Sequence, residues 1–199
     1  MCRLIETLKI KNGILENVCY HNKRLNSSRM SLFGCPVEID LRSYICIPDE
    51  FRHGVFKCRV LYSSKIEFIE IVKYKKREVS SLKLVFSDIE YSHKFKNRDT
   101  LNKLLERRGD CDEIMIVKNQ MITDSSYSNL AFFDGNKWVT PIMPLLKGTK
   151  RQKLIDERML VEKNIFVSEI KNYEKVSLIN AMNELGEIEV NTINIFSEP

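Results

Sequence analysis

The strongest constraint on the fold is a pattern of punctuation. Short runs of strand-like composition follow one another closely, and turn signals separate them. Residues 4–10 alternate in polarity and stop at Asn12-Gly13, a dipeptide suited to a tight hairpin, before a second run at 14–18. Residues 55–62 and 66–74 are rich in β-branched and aromatic side chains and are joined by Ser63-Ser64-Lys65, which predicts a second hairpin. Further strands are predicted at 81–86, 113–117, 128–133, 137–140, 164–168, 176–181 and 187–192. Helical spacing is confined to 22–33, closed by Gly34-Cys35-Pro36, and to 38–46, 99–107 and 150–158. There is no regular strand–helix–strand rhythm, which argues against a doubly wound or eight-fold barrel architecture and for a mixed α/β (α+β) chain. The polar stretch Lys75-Lys76-Arg77-Glu78-Val79-Ser80 predicts a boundary between a domain of residues 1–80 and one of residues 81–199.

Composition narrows the class. A chain of 199 residues buries roughly 70% of its unfolded surface and needs no disulfide or metal staple. Its 43% hydrophobic and 30% charged residues exclude general disorder. No apolar run approaches the roughly 20 residues of a membrane helix, and Glu6 comes too early for a signal peptide. The expectation is a cytoplasmic protein without a membrane partner. The net charge of +5 is spread along the chain, which gives no footprint for nucleic acid; even Lys73-Tyr74-Lys75-Lys76-Arg77 reads as a solvated strand end. The six cysteines include no C-x-x-C pair and the three histidines are scattered, so no metal site is expected. Cys46 and Cys58 lie in apolar runs and are expected to be buried thiols.

The sequence lacks the glycine-rich dinucleotide fingerprint, the P-loop, the nucleophile elbow and the zinc-protease motif. Four other segments carry chemistry. In His21-Asn22-Lys23-Arg24-Leu25, an arginine on a helix can present its guanidinium to a phosphate. In Tyr91-Ser92-His93-Lys94-Phe95-Lys96-Asn97-Arg98, neighbouring cations favour the neutral, nucleophilic form of Lys94, and a lysine amine condenses with aldehydes. In Thr123-Asp124-Ser125-Ser126-Tyr127-Ser128-Asn129, a carboxylate precedes a hydroxyl-rich turn into a strand and could pair with a cationic ring nitrogen. In Gly148-Thr149-Lys150-Arg151, a glycine leads into a helix whose first N–H groups suit an anion.

Taken in order, these segments resemble the class IV aminotransferases, the fold-type IV enzymes that use pyridoxal phosphate. The resemblance rests on Ile5-Glu6-Thr7, His21 with Arg24-Leu25, Lys94 with Asn97, Asp112-Glu113, Thr123-Asp124 with Asn129, Thr140-Pro141 and Leu146-Lys147-Gly148-Thr149-Lys150-Arg151, and it covers essentially the whole chain. It implies a small N-terminal α/β lobe and a larger C-terminal lobe built on a barrel-like sheet. It implies pyridoxal 5'-phosphate as cofactor, Lys94 as the lysine that carries it, and Arg24 as a phosphate-binding residue. It implies that Thr149 and Lys150 hold the phosphate through their backbone N–H groups, that Asp124 pairs with the pyridine nitrogen, and that Asn129 closes that motif. A small amino substrate and a homodimer follow from the same likeness.

The sequence departs from the family pattern in three places. Asp124 is one methylene shorter than the usual glutamate, and Lys150 stands where many relatives have threonine. Relatives usually carry some thirty residues before the Glu-Thr strand, so substrate residues from that region are not carried over. Leu178-Ile179-Asn180-Ala181-Met182, and an arginine four residues after Lys94, resemble the aminodeoxychorismate lyases of the family. The alternatives are a transaminase of branched-chain or D-amino acids and, outside enzymes, a cofactor-free binding module that kept the fold.

Overall fold

The computed structural model describes residues 2–197. Its contacts divide the chain into two units. The first holds the residues up to Lys76 together with His93–Asn97, and the second holds Arg77–Ser92 and the residues from Arg98 onward.

In the first unit, β1 (Leu4–Lys11) turns at Asn12-Gly13 into the short β2 (Ile14–Leu15), and α1 (Val18–Phe33) follows. The predicted second hairpin is β3 (Val55–Tyr62) with β4 (Ile66–Lys73), and the four strands form one sheet in the order β2-β1-β3-β4. Strand alternation sorts the side chains. Leu4, Leu8 and Ile10 of β1 and Phe56, Cys58, Val60 and Tyr62 of β3 turn inward onto Val18 and Leu25 of α1. Glu6 falls on that same inward face and lies opposite Val60 in the β1–β3 register. Helix α1 ends where Gly34 enters the left-handed region at φ 63°, so that Gly34 N–H reaches Met30 O and Cys35 N–H reaches Arg29 O. The segment around Lys94 joins this unit through the backbone. Ile5 N–H donates to Lys94 O at 2.9 Å, Lys96 N–H donates to Arg3 O at 2.9 Å, and Leu4 bridges Phe95.

The second unit contains β5 (Leu82–Phe86), α2 (Asp99–Glu106), β6 (Glu113–Lys118), β7 (Met121–Ser125), β8 (Asn129–Phe133), β9 (Trp138–Pro141), α3 (Thr149–Asp156), β10 (Val161–Lys163), β11 (Lys175–Ile179), β12 (Glu189–Asn191) and β13 (Ile195–Phe196). These strands make a nine-stranded sheet that branches at β8. Strand β11 pairs with β8 from Asn129 to Phe133, β9 meets Phe132 and Phe133, and β7 meets only Asn129. That last pairing sets Asp124 directly across from Asn129. Leu84, Met115, Val117, Leu130, Phe132, Val176 and Leu178 are among the apolar side chains of the core.

Four local expectations are corrected. The helix expected over 38–46 is a single 3-10 turn, Leu41–Ser43. Side chains compete with helical bonds there: Asn22 Oδ1 accepts Leu41 N–H, and Asp40 Oδ1 accepts Arg42 N–H. The strand expected at 164–168 ends early, as Val161–Lys163. Phe166 N–H then donates to Glu169 Oε2, and Val167–Asn172 coils into a 3-10 helix. Met121–Ser125 is a strand where the sequence predicts only turns, at Asn119-Gln120 and after Asp124; Asn119 and Gln120, at φ 51° and 62°, do form the tight turn that folds it onto β6. Cys46 is exposed, whereas Cys58 is buried and its thiol pKa is pushed up to about 12 by desolvation. None of the six cysteines forms a disulfide. Among the described residues, no helix is long and apolar enough to cross a membrane, and no cluster of three or more His, Cys, Asp or Glu is placed to hold a metal ion.

Candidate active site

The first unit builds a charged cluster around Glu6. The carboxyl is fully buried, with 0% exposure, because its strand position points it into the core. Helix α1 brings His21 and Arg24, three residues apart and therefore on one face, against it. Arg24 donates from Nε to Glu6 Oε1 at 2.8 Å and from Nη2 to Glu6 Oε2 at 2.6 Å, a two-point pairing that fixes the guanidinium plane. His21 Nδ1 lies 2.6 Å from Glu6 Oε2. Burial alone would raise the Glu6 pKa. The charge of Arg24 and the hydrogen bonds of His21 and Arg24 outweigh it and hold the carboxyl at about 2. His21 is lowered from its ordinary value, first by burial and further by the charges of Arg24 and Lys94, although Glu6 opposes this. Lys94 thus stands close enough to His21 for its charge to be felt.

In the sequence Glu6 stands out only as part of Ile5-Glu6-Thr7. The sign of its larger role is a carboxylate at an inward position of an alternating strand. Replacing it by glutamine should leave Arg24 without its counter-charge and cost about 3 kcal/mol at neutral pH, measured by urea unfolding. The pH dependence carries the sign. The depressed carboxyl of Glu6 stabilises the fold above its ordinary value of 4.5, and this stabilisation is lost as pH falls toward about 2. Glu6→Gln should therefore flatten the acid limb of the stability curve. A variant with the parental limb would show that the pairing contributes nothing.

The second unit builds a cage around Asp124. The strand β7 delivers this residue to the start of β8, and the turn between them is tied by Ser125 N–H to Ser128 O at 2.9 Å and by Ser128 N–H to Ser125 Oγ at 3.0 Å. Buried Glu113 accepts Ser126 N–H at 3.3 Å, and Arg98 Nη2 donates to Ser126 O at 2.6 Å, so the turn is held from both sides. Asn129 Nδ2 donates to Asp124 Oδ1 at 2.7 Å and also to Leu146 O at 2.8 Å, and Leu146 N–H donates to Asp124 Oδ2 at 2.9 Å. The carboxyl is 5% exposed. Desolvation pushes its pKa up to about 6 against the pull of these amides and of Arg151. A buried carboxylate held by amide donors and raised by desolvation is suited to a cationic N–H. A protonated ring nitrogen would supply the missing charge, so these residues fit the pyridoxal ring that the resemblance implies.

Gly148 is the N-cap of α3 and provides no side-chain cap to the helix. Its φ of −71° is ordinary; glycine is needed there for space. A Cβ at this position would lie 1.9 Å from Asn129 Oδ1. Thr149 and Lys150 open α3, both buried. The Lys150 ammonium donates to Glu184 Oε2 at 2.6 Å, and Arg151 Nη2 donates to Pro141 O at 2.8 Å and Glu162 Oε1 at 2.6 Å. Asn129, the residue that the resemblance places at the close of this motif and among the cofactor-binding residues, holds the Asp124 carboxyl through its side-chain amide. Leu146, Gly148, Glu113 and Glu184 complete the second cluster; of these the sequence singles out only Gly148, as the residue leading into α3. Glu184 lies 34 residues from its partner, beyond the reach of any local pattern.

Comparison with known proteins gives a consistent result. Residues 60–189 match the model of the family described as amino-transferase class IV. A Haemophilus influenzae protein described only as uncharacterized is 39% identical over 188 residues, covering 93% of this chain and all of that protein. A crystal structure from Haemophilus somnus, named as a candidate 4-amino-4-deoxychorismate lyase, is 36% identical with a TM-score of 0.86 and covers 93% of this chain and 98% of that one. A hypothetical aminotransferase from Mycobacterium tuberculosis in its PLP-bound form has a TM-score of 0.77 at 16% identity, covering 97% of this chain and 81% of that one, a likeness of fold.

Proposed function

The chain belongs to the class IV aminotransferase family, and from that premise we propose that it is a pyridoxal-phosphate enzyme of the 4-amino-4-deoxychorismate lyase type, releasing pyruvate and forming 4-aminobenzoate. The observation that carries the reading is the caged, desolvated carboxyl of Asp124, raised to about 6 and held by Asn129 and Leu146. The 36% identity to the Haemophilus somnus protein supports the choice of a lyase. So does the likeness of Leu178-Ile179-Asn180-Ala181-Met182 to the lyases of the family; in the fold Asn180 Oδ1 accepts Met182 and Asn183 N–H, and its Nδ2 donates to Ser128 Oγ at 2.8 Å.

Pyridoxal phosphate, when bound, supplies an electron-accepting ring for the charge left at a substrate Cα. The chain's own residues do the rest. Lys94 would provide the amine that holds the cofactor aldehyde, and as a free amine it would be the base that takes the proton from the substrate carbon bearing the amino group and gives it to the departing three-carbon unit, which leaves as pyruvate. Asp124 would hold the proton on the ring nitrogen through a charged hydrogen bond. Asn129 fixes the carboxyl that does so. Arg24, oriented by Glu6, would offer its guanidinium to the phosphate, and Thr149 and Lys150 would offer their backbone N–H groups. We further infer a cytoplasmic homodimer. Light scattering at micromolar concentration should report twice the chain mass, and a fully active monomer would contradict it.

Product analysis tests the activity. The protein loaded with pyridoxal phosphate and given 4-amino-4-deoxychorismate should release 4-aminobenzoate and pyruvate in equal amounts. Transfer of the amino group from a panel of amino acids to 2-oxo acids, with no 4-aminobenzoate formed, would make it a transaminase.

A further inference from the structure

Lys150 presents an unusual arrangement. Its side chain is 2% exposed, and the ammonium sits against the carboxylate of Glu184 at 2.6 Å. A buried ammonium requires a counter-charge, and Glu184 supplies it. Glu184 itself is 46% exposed. It lies in the segment between β11 and β12, where its N–H donates to Glu187 Oε2 at 2.8 Å and Gly186 N–H donates to Ser177 Oγ at 2.9 Å. The pair is therefore asymmetric. Glu184 can exchange its partner for water at little cost, whereas Lys150 can give up Glu184 only for another anion.

Resting on the proposed pyridoxal-phosphate reading, we propose that Glu184 competes with the cofactor phosphate for Lys150 and so sets how tightly the cofactor is held. The N–H group of Lys150 belongs to the first turn of α3, and a lysine's flexible four-carbon stem is long enough to bring its ammonium to an anion held at that turn. A phosphate dianion at the turn and the carboxylate of Glu184 then share one cation and repel each other. Where relatives offer a neutral hydroxyl, this chain offers a cation with an attached, displaceable acid. The consequence is a cofactor that exchanges more readily than Lys150 alone would allow.

The test is affinity, with binding followed by the visible band of pyridoxal phosphate and by competition with inorganic phosphate. Glu184→Gln should bind both pyridoxal phosphate and inorganic phosphate about fivefold more tightly, the scale of a partly exposed ion pair. Pyridoxal, which lacks the phosphate, should bind the parent and Glu184→Gln alike. Lys150→Met should weaken phosphate binding, and Glu184→Gln added to it should change nothing further. Without ligand, Glu184→Gln should melt earlier than the parent, and phosphate should restore it. If Glu184→Gln folds poorly, Glu184→Asp, which keeps the charge but shortens the reach, should show the same tightening in smaller measure. Unchanged or weaker phosphate binding in both Glu184 variants, with the parent still taking up pyridoxal phosphate, would overturn this inference alone. A parent that takes up neither pyridoxal phosphate nor phosphate would overturn it together with the functional reading.

Discussion

Asp124→Asn should fold, take up pyridoxal phosphate and turn over roughly 100- to 1,000-fold more slowly than the parent, the range found when one preorganised electrostatic group is removed from a buried site. The carboxyl is nearly excluded from water and its hydrogen-bond donors are amides, so the charge it carries is directed at whatever cation enters the cage. Asparagine keeps the acceptor for Asn129 but offers a neutral group where the ring nitrogen requires an anion. The loss should fall on kcat as well as kcat/KM, because the contact strengthens as negative charge is drawn into the ring in the transition state. Asp124→Glu restores the usual family residue and should retain most of the activity. Near-parental turnover in Asp124→Asn would reduce Asp124 to a turn residue. The cofactor-free protein carries a second signature. A carboxyl raised from 3.8 to about 6 stabilises the fold fully below its unfolded value, and this stabilisation is lost as pH rises through about 6. The parent should therefore lose on the order of 2 kcal/mol between about pH 4 and 6.5 that Asp124→Asn does not.

Gly148→Ala should be nearly as damaging as removing the carboxyl, although alanine is the smallest change available. Its Cβ would lie 1.9 Å from Asn129 Oδ1, far inside contact distance. Asn129 is buried and cannot move aside without giving up its bonds to Asp124 and to Leu146 O. Either the amide swings away and the Asp124 cage opens, or the start of α3 is pushed outward and the Leu146 N–H leaves the carboxylate. The expected result is about a 100-fold loss of turnover together with a stability loss of about 3 kcal/mol, a combination of overpacking and a broken buried network. Gly148→Ala combined with Asn129→Ala removes the clash and should regain stability without regaining turnover. A single variant that is stable and active would show that the cage tolerates displacement.

Much of this arrangement is written locally. The Asn12-Gly13 turn, the β-rich runs at 55–62 and 66–74, and the Gly34 stop of α1 are short-range signals, and the corresponding hairpins and helix form where they point. The same holds for Leu101 and Leu104 on the buried face of α2. The segments around Lys94, Asp124 and Gly148 stand out in the sequence through their joint resemblance to the class IV aminotransferases. What was hidden depends on partners distant in sequence. Helical spacing over 38–46 gives way to a 3-10 turn because Asn22, 19 residues from Leu41, takes up its N–H. Glu6 is an ordinary charge on a strand until α1 folds His21 and Arg24 onto it. The hold of Asn129 on Asp124 is tied in turn to Leu146, 17 residues away. The match between Lys150 and Glu184 is decided by burial, which composition does not report.

Lys94 is the residue proposed to carry the cofactor, and the most direct measurement locates the cofactor on the chain. The protein should be loaded with pyridoxal phosphate, reduced with borohydride, digested and mapped by mass spectrometry. The visible band should vanish, and a single peptide should carry the reduced pyridoxyl phosphate on Lys94, with no label appearing in Lys94→Ala. Label on Lys96 or Lys150, or a reducible band that survives in Lys94→Ala, would contradict the assignment.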